Sequence, residues 1–313
     1  MYHPNVAATT LAIEPPVVAD PPPLALPRRR WLRWVALLIS GLTLCAILYR
    51  VSALDLDHAF LAVPRTPLFW GVFAAAYVTP VLSEWVIFRR LWRIPLAGLI
   101  PLARKYVGNE ILLGYIGEAY FYVWARQRAA MTGAPFGAIK DVAILSAMAG
   151  NIVTLALMAM AYPLLPVLHP GASVQTLYLS LGVLVASSMA AFAFRRRLFS
   201  LGAPDLRFIL GNQTARVLLV IGLAALMWHL ALPQIALGWW LVLAALRQLL
   251  SRLPLMPNKD LAFAALTAVL IGDRSGIAAV LTVVATLMLV THVVVGLVTL
   301  GIDFVRPEKG AAA

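Results

Sequence analysis

The chain has 313 residues, of which 62% are hydrophobic and only 12% charged, and its formal net charge is +12. A soluble domain carries about 25% charged residues, so a soluble fold is excluded. An all-α integral membrane protein is expected, a polytopic helical bundle of about 7–8 transmembrane helices at ~20 apolar residues each. The basic excess does not point to nucleic acid, because the arginines flank apolar runs and form no separate basic domain. It fits positive-inside anchoring and attraction to anionic lipid headgroups. The single cysteine, Cys45, can form no intrachain disulfide. The histidines (His3, His58, His169, His229 and His292) are scattered without a second ligand at i+3 or i+4, so neither a metal nor another cofactor is expected.

Residues 1–27 are Pro-rich and read as a disordered cytoplasmic tail. Residues 28–303 read as one polytopic membrane domain, and 304–313 as a short polar tail. Arg28, Arg29 and Arg30 precede the first expected span, 31–49, which places the amino terminus in the cytoplasm. The second span is expected at 69–88, returning to Arg89, Arg90 and Arg93. Cations on both sides of 107–124 (Arg104, Lys105, Arg126 and Arg128) predict that this stretch dips in and returns to the same side. The third span is expected at 136–160 and the fourth at 176–194, ending at Arg195, Arg196 and Arg197. Residues 198–215 read as a cytoplasmic connection. A hairpin of 216–230 and 234–250 follows, with Arg247 and Arg252 marking its return to the inside. The last span is expected at 276–300.

Two stretches, 107–124 and 253–272, are interrupted by Gly, Pro or Asn with a charge at the break. Backbone broken at membrane depth is tolerated only where it is buried in protein or lines a cavity. Interrupted segments in corresponding places of two halves point to a transporter's binding site. The halves also share an order: Gly117-Glu118 or Lys259-Asp260, then a half-helix, a small-residue turn (132–135 or 272–276) and a long span.

The candidate substrate-path residues lie in and around these breaks. Glu110 and Glu118 bracket Gly114 and Gly117, and on a continuous helix they would share one face. Glu118 either caps the next helix through its dipole or faces a cavity. Tyr115, Tyr120, Phe121, Tyr122 and Trp124 read as an interfacial aromatic belt. Glu84 either lines the interior or snorkels towards Arg89. Lys140 and Asp141 are adjacent, project about 100° apart on a helix and are not expected to pair with each other. Ser146, Gly150 and Thr154 form a small-residue packing face, and Asn151 reads as interhelical glue. In the second break Pro257 and Asn258 signal a turn, Asp260 reads as the cap of a helix from Leu261, and Lys259 adds charge at a helix amino end that attracts anions. No catalytic motif is present.

At these residues the chain resembles the membrane, flippase-like domain of lysylphosphatidylglycerol synthases. Leu113-Gly114-Tyr115-Ile116-Gly117-Glu118 is similar to the family's Gly-Glu break. Residues 253–260 stand where a Gly-rich break ending in Glu is expected, with Asp260 near the place of that Glu. The family's Arg after the first Glu falls on Phe121, and Arg126 is the nearest Arg. The resemblance spans roughly 31–303. It implies two re-entrant hairpins, a stand-alone form without the soluble aminoacyl-transferase domain, and movement of a lipid or lipid-linked substrate between leaflets of a bacterial cytoplasmic membrane. The expected partners are membrane lipids, anionic or lipid-linked, together with a homo-oligomer or a lipid-biosynthesis enzyme. Two other classes stand beside it: a membrane enzyme of lipid or glycan assembly with Glu118 or Asp260 as base, and a scaffold subunit.

Overall fold

The computed structural model describes residues 64–111, 116–127, 135–161, 199–250, 259–260, 263–264, 266–267 and 276–305. Seven α-helices are described: α1 (Pro67–Trp92), α2 (Leu99–Ile111), α3 (Ile116–Arg126), α4 (Pro135–Ala161), α5 (Ala203–Ala231), α6 (Leu237–Leu250) and α7 (Ile277–Val305). Further helical pieces lie at 259–260, 263–264 and 266–267, and no strand occurs among the described residues.

Four of the helices, α1, α4, α5 and α7, are long and apolar enough to cross a membrane. That is fewer than the sequence predicts. The expected spans at 31–49 and 176–194 lie outside the described residues. Over the described residues the remaining helices are shorter: α2 has 13 residues, α3 has 11 and α6 has 14. At 1.5 Å per residue they reach only about 16–21 Å, against a hydrocarbon core of ~30 Å.

The expected spans at 69–88, 136–160 and 276–300 all fall inside helices. Pro67 sits in the first turn of α1, where its missing N–H costs nothing. Arg93 ends α1 in the left-handed conformation (φ 54°), with Arg89 and Arg90 in the last turn, where cations suit the helix dipole. Most of the stretch 198–215, expected as a connection, is the first part of a long helix. Helix α5 already starts at Ala203, and Gln213 within that stretch is fully buried. Arg207, Asn212 and Gln213 give the stretch a loop-like composition, but Asn212 finds its partner on a neighbouring helix and Gln213 is packed inside the bundle. Ser83 donates to Asn212 at 2.5 Å.

The direction of each helix follows from its contacts. Arg90 meets Asp205 and Ser83 meets Asn212, so α1 and α5 run antiparallel. Asp141 holds Ser200 and Leu201, and Ser146 accepts from Arg216, so α4 and α5 run parallel. Arg104 reaches the Thr299 carbonyl and Val107 approaches Gly296, so α7 opposes α2 and runs with α1.

Helices α2 and α3 form an antiparallel hairpin inserted from the end of the bundle where α1 stops. Helix α6 and the pieces at 259–267 form a second hairpin from the opposite end. Gly276, which leads into α7, lies beside Leu232 just after α5. Each hairpin has its own apolar core. Phe88, Trp92, Phe121 and Ile209 surround the first, and Phe69, Trp228, Trp240 and Phe263 the second.

Candidate functional site

The first hairpin is closed by its own polar side chains. Asn109 accepts from the Gly117 backbone N–H at 2.8 Å and donates to Glu118 Oε1 at 3.2 Å. Arg104 donates to the Tyr120 hydroxyl. A Cβ at Gly117 would overlap the Lys105 carbonyl oxygen, so this glycine is required by close helix approach. Lys105, nearly fully buried, places its Nζ 2.6 Å from Glu84 Oε1 and 3.4 Å from Glu118 Oε1. The second oxygen of Glu118, Oε2, is buried without a hydrogen-bond partner among the described residues.

Three expectations change here. Glu84 pairs with Lys105 and not with Arg89, whose guanidinium stacks over Trp85. Burial drives this choice, since Lys105 has no water to turn to whereas Arg89 does. Glu110 and Glu118 do not share a helix face, because Glu110 belongs to α2 and Glu118 to α3. Phe121 is no belt residue. It is fully buried and stacks with Phe88, Trp92 and Trp124.

The second hairpin carries a matching pair. Arg247 of α6 donates through Nε at 2.6 Å and through Nη2 at 2.5 Å to a single oxygen, Oδ1, of Asp260. Both Lys259 and Asp260 are helical, so Asp260 serves Arg247 and does not cap a helix from Leu261. Arg247 is therefore no marker of a return to the inner surface. It stands in the interior beside a cavity lined also by Tyr106, Asp260, Phe263 and Trp228. Tyr106 comes from the first hairpin, near whose tip Glu110 stands half-buried, and Arg247 and Asp260 come from the second. The tips of the two hairpins thus converge. On the neighbouring face Tyr77 bonds His292 at 3.1 Å, and the ring of Tyr106 packs on both.

The two hairpins are counterparts. Arg247 and Asp260 are 13 residues apart, the same separation as Lys105 and Glu118. The shift that carries Lys105 onto Arg247 carries Glu118 onto Asp260 and the buried Phe121 onto the buried Phe263. It also carries Pro135, the first residue of α4, onto Ile277, the first of α7. Since α1 opposes α5, and α4 runs with α5 while α7 runs with α1, the long described helices of the second half are inverted relative to their counterparts. This is an inverted-topology repeat, the arrangement in which transporters place a central site between two halves.

The chain matches no protein-family model, and no curated protein or solved structure is significantly similar to it. The functional reading therefore rests on the residues themselves.

The other sequence candidates are distributed as follows. Gly114, Pro257 and Asn258 lie outside the described residues. Arg126, at the end of α3, donates to the Tyr122 hydroxyl at 3.2 Å. Lys140 and Asp141 do pair, at 3.4 Å, against expectation. The long lysine chain bends back because Asp141 is fully buried and needs a cation. The other oxygen of Asp141, Oδ2, accepts from the Ser200 and Leu201 N–H groups at 2.7 and 2.8 Å, and Lys140 donates to the Ser200 hydroxyl. The pair anchors the chain leading into α5, far from the hairpin tips. Among the small residues of α4, Ser146 accepts from Arg216.

Sequence reasoning missed Lys105, Asn109, Tyr106, Arg216, Arg247 and His292. The equal spacing of Lys105–Glu118 and Arg247–Asp260 was visible in the sequence and would have found the two cations. The contacts of Tyr106 and His292 had no local signature.

Proposed function

We propose that this protein moves an anionic lipid or lipid-linked precursor between membrane leaflets, as a flippase-like transporter and not an enzyme. The observation that carries the reading is the convergence of two oppositely inserted hairpins, with Tyr106 of one and Arg247 and Asp260 of the other lining a single cavity. Short helices meeting inside a bundle leave backbone ends that must be served by protein or by a ligand-filled cavity. Inverted repeats let such a site open to either side by exchanging the conformations of the halves. The resemblance to the lysylphosphatidylglycerol synthase membrane domain, which the sequence motifs alone carry, agrees with this reading.

The test is purified protein in liposomes containing a headgroup-labelled anionic lipid, with exposure of the label followed over time. Protein-dependent exchange is expected. Arg247→Gln is expected to slow it at least ~10-fold, because it removes the cation that lines the cavity. Exchange equal to protein-free liposomes would refute transport. An enzyme of lipid or glycan assembly is the second reading, favoured by the unpartnered Oε2 of Glu118, and would show itself as a new lipid product.

The proposed orientation puts the first hairpin on the cytoplasmic side, where Arg89, Arg90 and Arg93 cluster. Residues 200 and 234 flank α5 at its two ends. In a Cys45→Ser background, an impermeant thiol reagent applied to intact cells is expected to label Gln234→Cys and not Ser200→Cys. The opposite pattern would invert the orientation.

A further inference from the structure

The cavity beside the second hairpin has a polar end and an apolar wall. Arg247, Asp260 and Tyr106 form the first, and Val220, Met227 and Leu281 belong to the second. Such a shape suits an amphiphile, and the charges decide its sign. Arg247 is the cation of that lining and Asp260 its carboxylate, so the sign turns on how fully Arg247 is engaged.

Comparison with the first hairpin sharpens the point. There the equivalent cation, Lys105, is clamped by two carboxylates, Glu84 and Glu118, and stands over the packed ring of Phe121. Arg247 is bonded by one, and that one offers a single oxygen to two guanidinium nitrogens. A guanidinium fork is better matched by two oxygens of one anion, as a phosphate presents them. Asp260 therefore leaves Arg247 incompletely matched beside a cavity, whereas Lys105 is fully engaged inside packed protein.

We propose that Arg247 is the seat of a phosphate-type anionic headgroup, and that Asp260 holds the seat until the headgroup displaces it. The proposal takes its ligand class, a membrane amphiphile, from the transport reading. The headgroup engages the guanidinium fork, and the acyl or prenyl chain lies along Val220 and Met227. Asp260 is a competitor for the seat and not a ligand of the substrate.

The experiment uses the full chain purified in zwitterionic detergent, with no transport step. The probe is phosphatidic acid carrying brominated acyl chains, which quench tryptophan, and Trp228 lines the cavity. Brominated phosphatidylcholine is the control lipid. Saturable quenching by phosphatidic acid and little by phosphatidylcholine is expected, with a Trp228→Phe variant losing most of it. Arg247→Gln is expected to weaken binding about tenfold or more, the size of a lost charge-assisted fork. Asp260→Asn is expected to strengthen it severalfold by removing the competitor.

Should Arg247→Gln fail to fold, Arg247→Lys carries the test. It keeps the charge, loses the fork and should bind severalfold more weakly than the wild type. Unchanged affinity in the foldable Arg247 variant, or weakening by Asp260→Asn as large as that by the Arg247 variant, would overturn the proposal. Equal quenching by the two lipids, with phosphatidic acid binding displaced by millimolar inorganic phosphate alone, would assign the seat to a soluble anion and overturn the lipid headgroup. Binding as expected without exchange in liposomes would sink the transport reading and leave the seat standing.

Discussion

Gly117→Ala is expected to leave much less folded protein than the wild type. The added methyl would overlap the carbonyl oxygen of Lys105, lie 2.8 Å from its carbonyl carbon and stand 2.5 Å from Asn109 Oδ1. Two of these atoms are backbone of the facing helix, so no rotamer change relieves the overlap. Helices α2 and α3 must separate. Overpacking of this kind costs about 1–3 kcal/mol or more. Separation would also break the bond from the Gly117 N–H to Asn109, worth about another 1 kcal/mol, and more if the donor stays buried without a partner. Thermal unfolding followed by size-exclusion chromatography in detergent measures the loss. Gly108→Ala is the control, since its Cβ would meet the Gly117 Cα at an ordinary 3.6 Å. Equal melting temperatures for the two variants would show that the hairpin is not closed as described.

Lys105→Met is expected to be equally damaging for a different reason. It preserves length and apolar volume but leaves Glu84 and Glu118 beside each other without their shared cation. Removing one member of a buried ion pair costs about 3–5 kcal/mol, because the remaining charge is uncompensated. The same reasoning predicts a rescue. Glu84→Gln and Glu118→Gln added to Lys105→Met should restore most of the lost stability, since the neutral amides carry no charge to strand. The readout is the melting temperature of the single and triple variants. A single variant as stable as the wild type would reduce Lys105 to a surface charge, and a triple variant no better than the single would assign the loss to packing.

These expectations mark where local and non-local information part company. The helices over 69–88, 136–160 and 276–300, the turn between α5 and α6, and the correspondence of Glu118 with Asp260 could all be read from residue order. A membrane helix is limited by the length of an apolar run, and a break needs only Gly, Pro or a charge in that run. These are properties of a dozen or two consecutive residues. The start of α5 at Ala203 was not legible, because Gln213 and Asn212 look like loop residues until their helix neighbours are known. Nor was the role of Arg247. A lone arginine after an apolar run looks like an anchor at the membrane surface, and only the return of the chain at Asp260 turns it into half of an interior pair. The partner of Glu84, the opposed insertion of the two hairpins and the cavity between them depend on contacts between residues far apart in the chain. Burial decides those contacts, since a charge withdrawn from water must take whichever opposite charge the fold brings within reach. The sequence alone determined that this is a helical membrane protein with two interrupted segments, and the tertiary structure decided that the segments enter from opposite ends and meet.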